Sequence, residues 1–179
     1  SVRALRALGV RPCGHIVRHA LRLAVTTASP LLVVYRRDFR ENPGDDAAWG
    51  EAVDNDGLSV ANIIETTRRW VETVVVGLNL CPFAKKEMVL DRIRYVVCEA
   101  DEPTRLLEAL SEELTCLEKD HSIETTLLIH PNTLREFHDY NQFLDIADAL
   151  VVELEFEGVF QIASFHPDYQ FHNTSPDDV

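Results

Sequence analysis

Residues 124–130 read ETTLLIH, a short β-branched and apolar run closed by an acid on one side and an imidazole on the other. It is too short for a helix, and its composition predicts a strand. On its N-terminal side, Leu106, Leu107, Leu110, Leu114 and Leu117 fall within roughly 100° of helical arc, with Pro103 suited to the first turn. Earlier still, Arg92 to Glu99 sets Ile93, Tyr95 and Val97 alternating with Arg92, Arg94 and Val96, which predicts another strand. On the C-terminal side, Thr133-Leu-Arg-Glu136 has the pattern of a capping box. It opens a helix whose Phe137, Tyr140, Phe143, Leu144, Ala147, Leu150, Val151 and Leu154 share one broad face. Gly158 then ends that helix or starts a third strand, Val159 to Phe165.

Ahead of these elements Ser59 can cap a helix carrying Ile63, Thr67, Trp70, Val71, Val74, Val75 and Leu78 at helical spacing, with Gly77 as its stop and NLCPFAKK as the following loop. The order is a leading helix, then β-α-β-α-β. Such alternation is best satisfied by crossovers joining parallel strands, so the expected fold is α/β, with a small, mainly parallel sheet covered by helices. The competing arrangement is α+β with one strand antiparallel, and no hairpin turn signal separates the strands to favour it.

Charge divides the 179-residue chain. Residues 1–40 hold eight arginines and one acid, Asp38, for a charge of +7, whereas the total is −13 and residues 41–179 therefore carry −20. Residues 1–40 are expected to be a basic leader or targeting-like extension, residues 41–58 (ENPGDDAAWGEAVDNDGL) a polar, acidic linker, and residues 59–179 a single domain. An acidic body disfavours nucleic-acid binding by the folded part. No run approaches the ~20 apolar residues of a membrane helix, because Arg18, Arg22, Arg36 and Arg37 interrupt the best candidate. Cys13, Cys81, Cys98 and Cys116 form neither a CxxC pair nor a dense disulfide framework. A soluble intracellular protein is expected, cytoplasmic, or mitochondrial or otherwise organellar if the leader is a transit peptide.

If the three strands run the same way, their carboxyl ends share an edge, and ligands of open α/β sheets bind outside that edge. Cys98, Glu99, His130, His166 and Asp168 arrive there. In SFHPDYQFH (164–172), Pro167 biases His166 toward extended geometry, and an imidazole beside a carboxylate can have its tautomer fixed for general-base work; the bland reading is a hydrogen-bonded turn. Cys81 lies in a loop beside Lys85 and Lys86, which favour a thiolate, whereas Cys98 and Cys116 read as small buried hydrophobes. A metal set would recruit His130, His166, Asp168, His172 and Cys81, without any HExxH or CxxC spacing to support it. No GxGxxG or P-loop offers a phosphate cradle.

The segments WVETVVVGLNLCPFAK, TTLLIHP, FLDIADAL and QIASFHPDYQFHNTSPDD together make the chain, from about Ile63 to Val179, resemble the domain-of-unknown-function family numbered 1415. The resemblance implies a compact α/β domain, matches the family pattern at Cys81, Pro82, His130, His166, Pro167, Asp168, Tyr169, Gln170 and Asp177, and supplies no reaction. It also implies that the chain stops short of a further segment and helix.

The expected function is a small thiol- and histidine-dependent enzyme, a hydrolase or group transferase acting on a small molecule. Cys81 is its nucleophile or redox thiol, His166 its general base and Asp168 the orienting carboxylate, with His130, Tyr169 and Gln170 contacting substrate. The alternative is a non-catalytic module binding a small molecule or metal through the same residues. A third possibility is an interaction protein whose acidic surface meets a basic partner.

Overall fold

The computed structural model describes residues 30–36 and 59–168. In chain order the elements are β1 (Leu31–Arg36), α1 (Val60–Trp70, running on as a π-helical turn over Val71–Val76), α2 (Ala84–Val89), β2 (Ile93–Val97), α3 (Pro103–Lys119), β3 (Thr125–Ile129), α4 (Phe137–Glu153) and β4 (Phe160–Phe165). They form a mixed α/β structure around one four-stranded sheet of order β2-β3-β1-β4.

The three strands expected from the sequence do run the same way. β2 pairs with β3 in parallel, and β1 is antiparallel to both β3 and β4, so β3 and β4 share a direction. The sheet is nevertheless mixed rather than mainly parallel, because β1 is inserted between β3 and β4. The sequence reading assigned no strand to residues 31–36. As an interior strand β1 is buried on both faces: Leu32 and Val34 are fully buried on one side, while Leu31 and Val33 pack on the other. LLVVYR therefore lacks the alternation that marks a half-exposed strand.

Each face has its own core. On one, Leu32, Val34, Leu128 and Phe160 meet Leu106, Leu110, Leu114 and Leu117 of α3 and Tyr140, Phe143, Ala147 and Val151 of α4. These are the two apolar stripes expected from the sequence, and burial of a Leu stripe is what makes a helix of this composition stay on the sheet. On the other face, Leu31, Leu127 and Ile129 meet Val71, Ile63, Trp70 and Val75 of α1. Ser59 caps α1 as expected, its hydroxyl accepting from the Asn62 amide at 3.2 Å. The π turn advances the chain by an extra residue per turn and shifts the phase of the apolar stripe, so Leu78, expected on the buried face, is 44% exposed. Gly77 ends this turn: a Cβ there would lie 2.3 Å from the Thr73 carbonyl oxygen, so the close approach admits no side chain.

The capping box expected at Thr133–Glu136 does not form. Glu136 is the N-cap, without a side-chain cap bond, and Thr133 is buried in the preceding loop with its carbonyl turned to another partner, described below. At the amino end of the parallel strands, Arg92 bonds Glu124 and sits 3.5 Å from Glu87. Burial pushes the Glu87 carboxyl up, with Arg92 opposing. Arg94 grips Glu113 through two bonds of 2.8 and 3.2 Å, tying β2 to α3.

If β1 is an integral core strand, Leu32→Ala lowers unfolding free energy in urea by about 2–5 kcal/mol, whereas Val152→Ala, at a site 56% exposed, changes it by less than about 0.5 kcal/mol. Equal small effects would show that β1 contributes no core.

Candidate functional site

The carboxyl ends of β3 and β4 each deliver an imidazole. His130 follows Ile129 and His166 follows Phe165, one step beyond Leu31, which pairs with both Ile129 and Phe165. The two histidines therefore flank Pro30, whose carbonyl accepts from the His130 amide at 3.1 Å. Their backbones stand two strand spacings apart, about 10 Å. Alternation along β3 and β4 turns both rings to the face covered by α4, and there Tyr140 lies between them. Its ring centroid is 5.7 Å from His130 and 4.9 Å from His166, and Phe137 adds an edge contact to His166 at 5.5 Å. The Tyr140 hydroxyl donates to the Leu31 carbonyl at 3.0 Å. Burial pushes its phenol pKa upward.

Backbone partners fix the proton on each ring. His130 Nδ1 faces the Thr133 carbonyl at 3.0 Å, and because a carbonyl only accepts, Nδ1 carries the hydrogen and Nε2 keeps a free lone pair. His166 is the reverse: the Asp168 amide donates to its Nδ1 at 3.1 Å, so in the neutral ring the hydrogen is on Nε2. Both rings are buried, His130 at 0% and His166 at 2% exposure, and neither Nε2 has a hydrogen-bond partner. One unfilled acceptor and one unfilled donor thus stand on either side of Tyr140. Each costs about 1–3 kcal/mol if left unsatisfied, which is why buried orphans of this kind call for an explanation.

Both imidazoles are held neutral. Burial drives the His130 pKa down to about 4, helped by the nearby His166 and opposed by the Thr133 carbonyl. Burial also lowers His166, but Asp168, the Leu134 and Arg135 carbonyls and Glu136 all oppose it, although neither carbonyl closes a hydrogen bond to Nε2. The loop supplying the Thr133, Leu134 and Arg135 carbonyls joins β3 to α4. Asn132 pins it by donating to the Glu99 carbonyl at 2.7 Å, and Leu134 sits in it at φ 54°, a left-handed conformation costly for a bulky side chain.

Among the expected site residues, the fold brings together His130, His166 and Asp168, the last through its backbone amide as well as its charge. Cys81 is half-buried in the connection between the π turn and α2, which belongs to the helix covering the opposite face of the sheet. Among the described residues no hydrogen bond joins it to either imidazole or to Asp168. Tyr169, Gln170, His172 and Asp177 lie outside the described residues. Tyr140, Thr133 and Leu31 were not anticipated. Tyr140 reads as one more apolar-stripe residue, and the other two act through backbone carbonyls, which leave no trace in residue type. Among the described residues no group of three or more His, Cys, Asp or Glu converges to hold a metal ion. No helix among them is long and apolar enough to cross a membrane.

A family model described as protein of unknown function (DUF1415) matches residues 62–179. Neither a curated protein nor a solved structure matches the chain significantly.

The His130 shift has a sign that can be checked. Its folded pKa, about 4, lies below the ordinary value of 6.5, so its contribution to stability is present above pH 6.5 and is lost as pH falls toward 4. Between pH 7.5 and 5 this amounts to about 2 kcal/mol. His130→Asn, whose amide still donates to the Thr133 carbonyl, should lose about 2 kcal/mol less than the unmodified chain over that interval in urea unfolding. An identical loss in both proteins would mean that His130 titrates like an exposed imidazole.

Proposed function

The chain belongs to the DUF1415 family of proteins of unknown function, and within that family we propose that this member binds a small polar molecule at the carboxyl edge of its sheet, through the Nε2 atoms of His130 and His166 on either side of Tyr140. The observation that carries this reading is the pair of buried, unpartnered Nε2 atoms in opposite protonation. A ligand offering one hydrogen-bond donor and one acceptor satisfies both at once, His130 accepting and His166 donating.

The electrostatics divide the roles. A ring whose pKa is near 4 stays neutral at physiological pH and recognises a ligand rather than taking its proton. His166, with Nδ1 already taken by the Asp168 amide, meets the ligand through its Nε2–H as a hydrogen-bond donor, while Asp168 and Glu136 oppose the lowering of its pKa by burial. Asp168 thereby keeps an orienting role: its amide holds Nδ1 as an acceptor and so keeps the hydrogen on Nε2. Cys81 stands outside this reading, since nothing observed links its thiol to the imidazoles. A metal is a poorer fit than a neutral molecule, because the Asp168 amide occupies His166 Nδ1 and leaves Nε2 protonated.

A thermal-shift panel of small hydroxy acids, amides and amino alcohols, run on the full chain, tests the proposal. His130→Asn and His166→Asn each preserve the backbone hydrogen bond and remove Nε2. Compounds that raise the midpoint of the unmodified chain should lose at least tenfold in apparent affinity, about 1.4 kcal/mol, in both variants. A panel without a stabiliser, or stabilisers indifferent to both substitutions, would reduce the pair to a structural feature.

A further inference from the structure

The segment matched by the family model, residues 62–179, contributes β2, β3 and β4, whereas β1, which lies between β3 and β4, comes from outside it. Without β1, two strands running the same way would face each other across a gap one strand wide, each with a row of unpaired backbone groups. From this we infer that the β3–β4 gap is a strand-acceptor site, filled here in cis by Pro30–Arg36, and that the class of ligand it takes is an extended apolar peptide inserted antiparallel to both neighbours.

The recognition elements of such a site are all present. Pairing is continuous on both sides, from Leu31 to Tyr35 against Thr125–Ile129 and from Leu31 to Arg36 against Phe160–Phe165. Main-chain bonds of this kind supply affinity without regard to sequence, while side-chain pockets select the residues. The selected pattern is large and apolar on both faces, with Leu32 and Val34 sealed against α3 and α4 and Leu31 against Val71, Leu127 and Ile129. The two ends are read separately. The Pro30 carbonyl accepts from the His130 amide at 3.1 Å. The Arg36 guanidinium donates to the Leu117 carbonyl and lies 5.2 Å over the Phe160 ring, a cation–π contact that marks the carboxyl end of the seated segment. The pairing between β2 and β3 does not involve β1, so leaving the gap breaks none of it. This inference does not rest on the imidazole site, because peptide insertion is read without any small ligand.

The test uses the full chain with Val34→Asp, which places an unpaired charge at a fully buried position of the cis strand. A fluorophore-labelled peptide of residues 30–36 with a lysine tail should bind this variant at least tenfold more tightly than it binds the unmodified chain, and the same peptide carrying Asp at the Val34 position should not bind. No gain in the variant would overturn the inference. Should the variant fail to fold, native-state hydrogen exchange on the unmodified chain decides. Amides of Val33 and Tyr35 should exchange through an opening that leaves those of Leu127 and Leu110 protected, and exchange of all four only on global unfolding would refute an exchangeable strand.

Discussion

The hydrogen bond from the Tyr140 hydroxyl to the Leu31 carbonyl joins the parts on which everything else depends. It ties the middle of the sheet to the first turns of α4 across 109 positions of sequence, and it is buried, where a phenol left unpaired would be costly. With the hydroxyl anchored on β1, the ring is fixed between the two strand ends that carry His130 and His166. The interior strand and the covering helix are thus joined by one contact, with an imidazole on either side of it.

The two ends of the sheet solve opposite electrostatic problems. At the amino ends of β2 and β3, buried acids are matched by arginine: Glu124 and Glu87 share Arg92, and Glu113 takes the fork of Arg94. Charges there are compensated within the protein, as buried charges must be. At the carboxyl ends the buried polar groups are neutral and only half satisfied, one nitrogen of each ring being bonded to backbone and the other left open. Glu87 Oε2 closes no hydrogen bond either but has the Arg92 guanidinium at 3.5 Å, whereas the open nitrogen of each ring has no hydrogen-bond partner. The left-handed Leu134, in the loop that shapes this end, is a second local cost concentrated at the same place.

Much of this was legible in the sequence, and what was not has a physical reason. The Leu stripe of α3 and the broad face of α4 have helical periods that survive any tertiary context, and β2 alternates because one of its faces carries Arg94 to Glu113. His130 and His166 stood out as polar groups ending apolar runs. β1 did not, because an interior strand buried on both sides reads as an unpatterned apolar stretch, and LLVVYR sits in arginine-rich surroundings that resemble a leader. Thr133 was read as a cap, since the pattern S/T-x-x-E is satisfied by residue type, whereas the structure uses its carbonyl for His130. The pairing of Cys81 with His166 drew on the loop position of Cys81 and its lysine neighbours, and residue types do not reveal which face of the sheet a loop serves.

The most direct measurement is the protonation state of the two rings by long-range nitrogen–proton NMR on the full chain. At pH 7.5 His130 should be neutral with its proton on Nδ1 and His166 neutral with its proton on Nε2, and His130 should remain neutral at pH 5. A charged ring at pH 7.5, or the same tautomer at both positions, would contradict a site built from one open acceptor and one open donor around Tyr140.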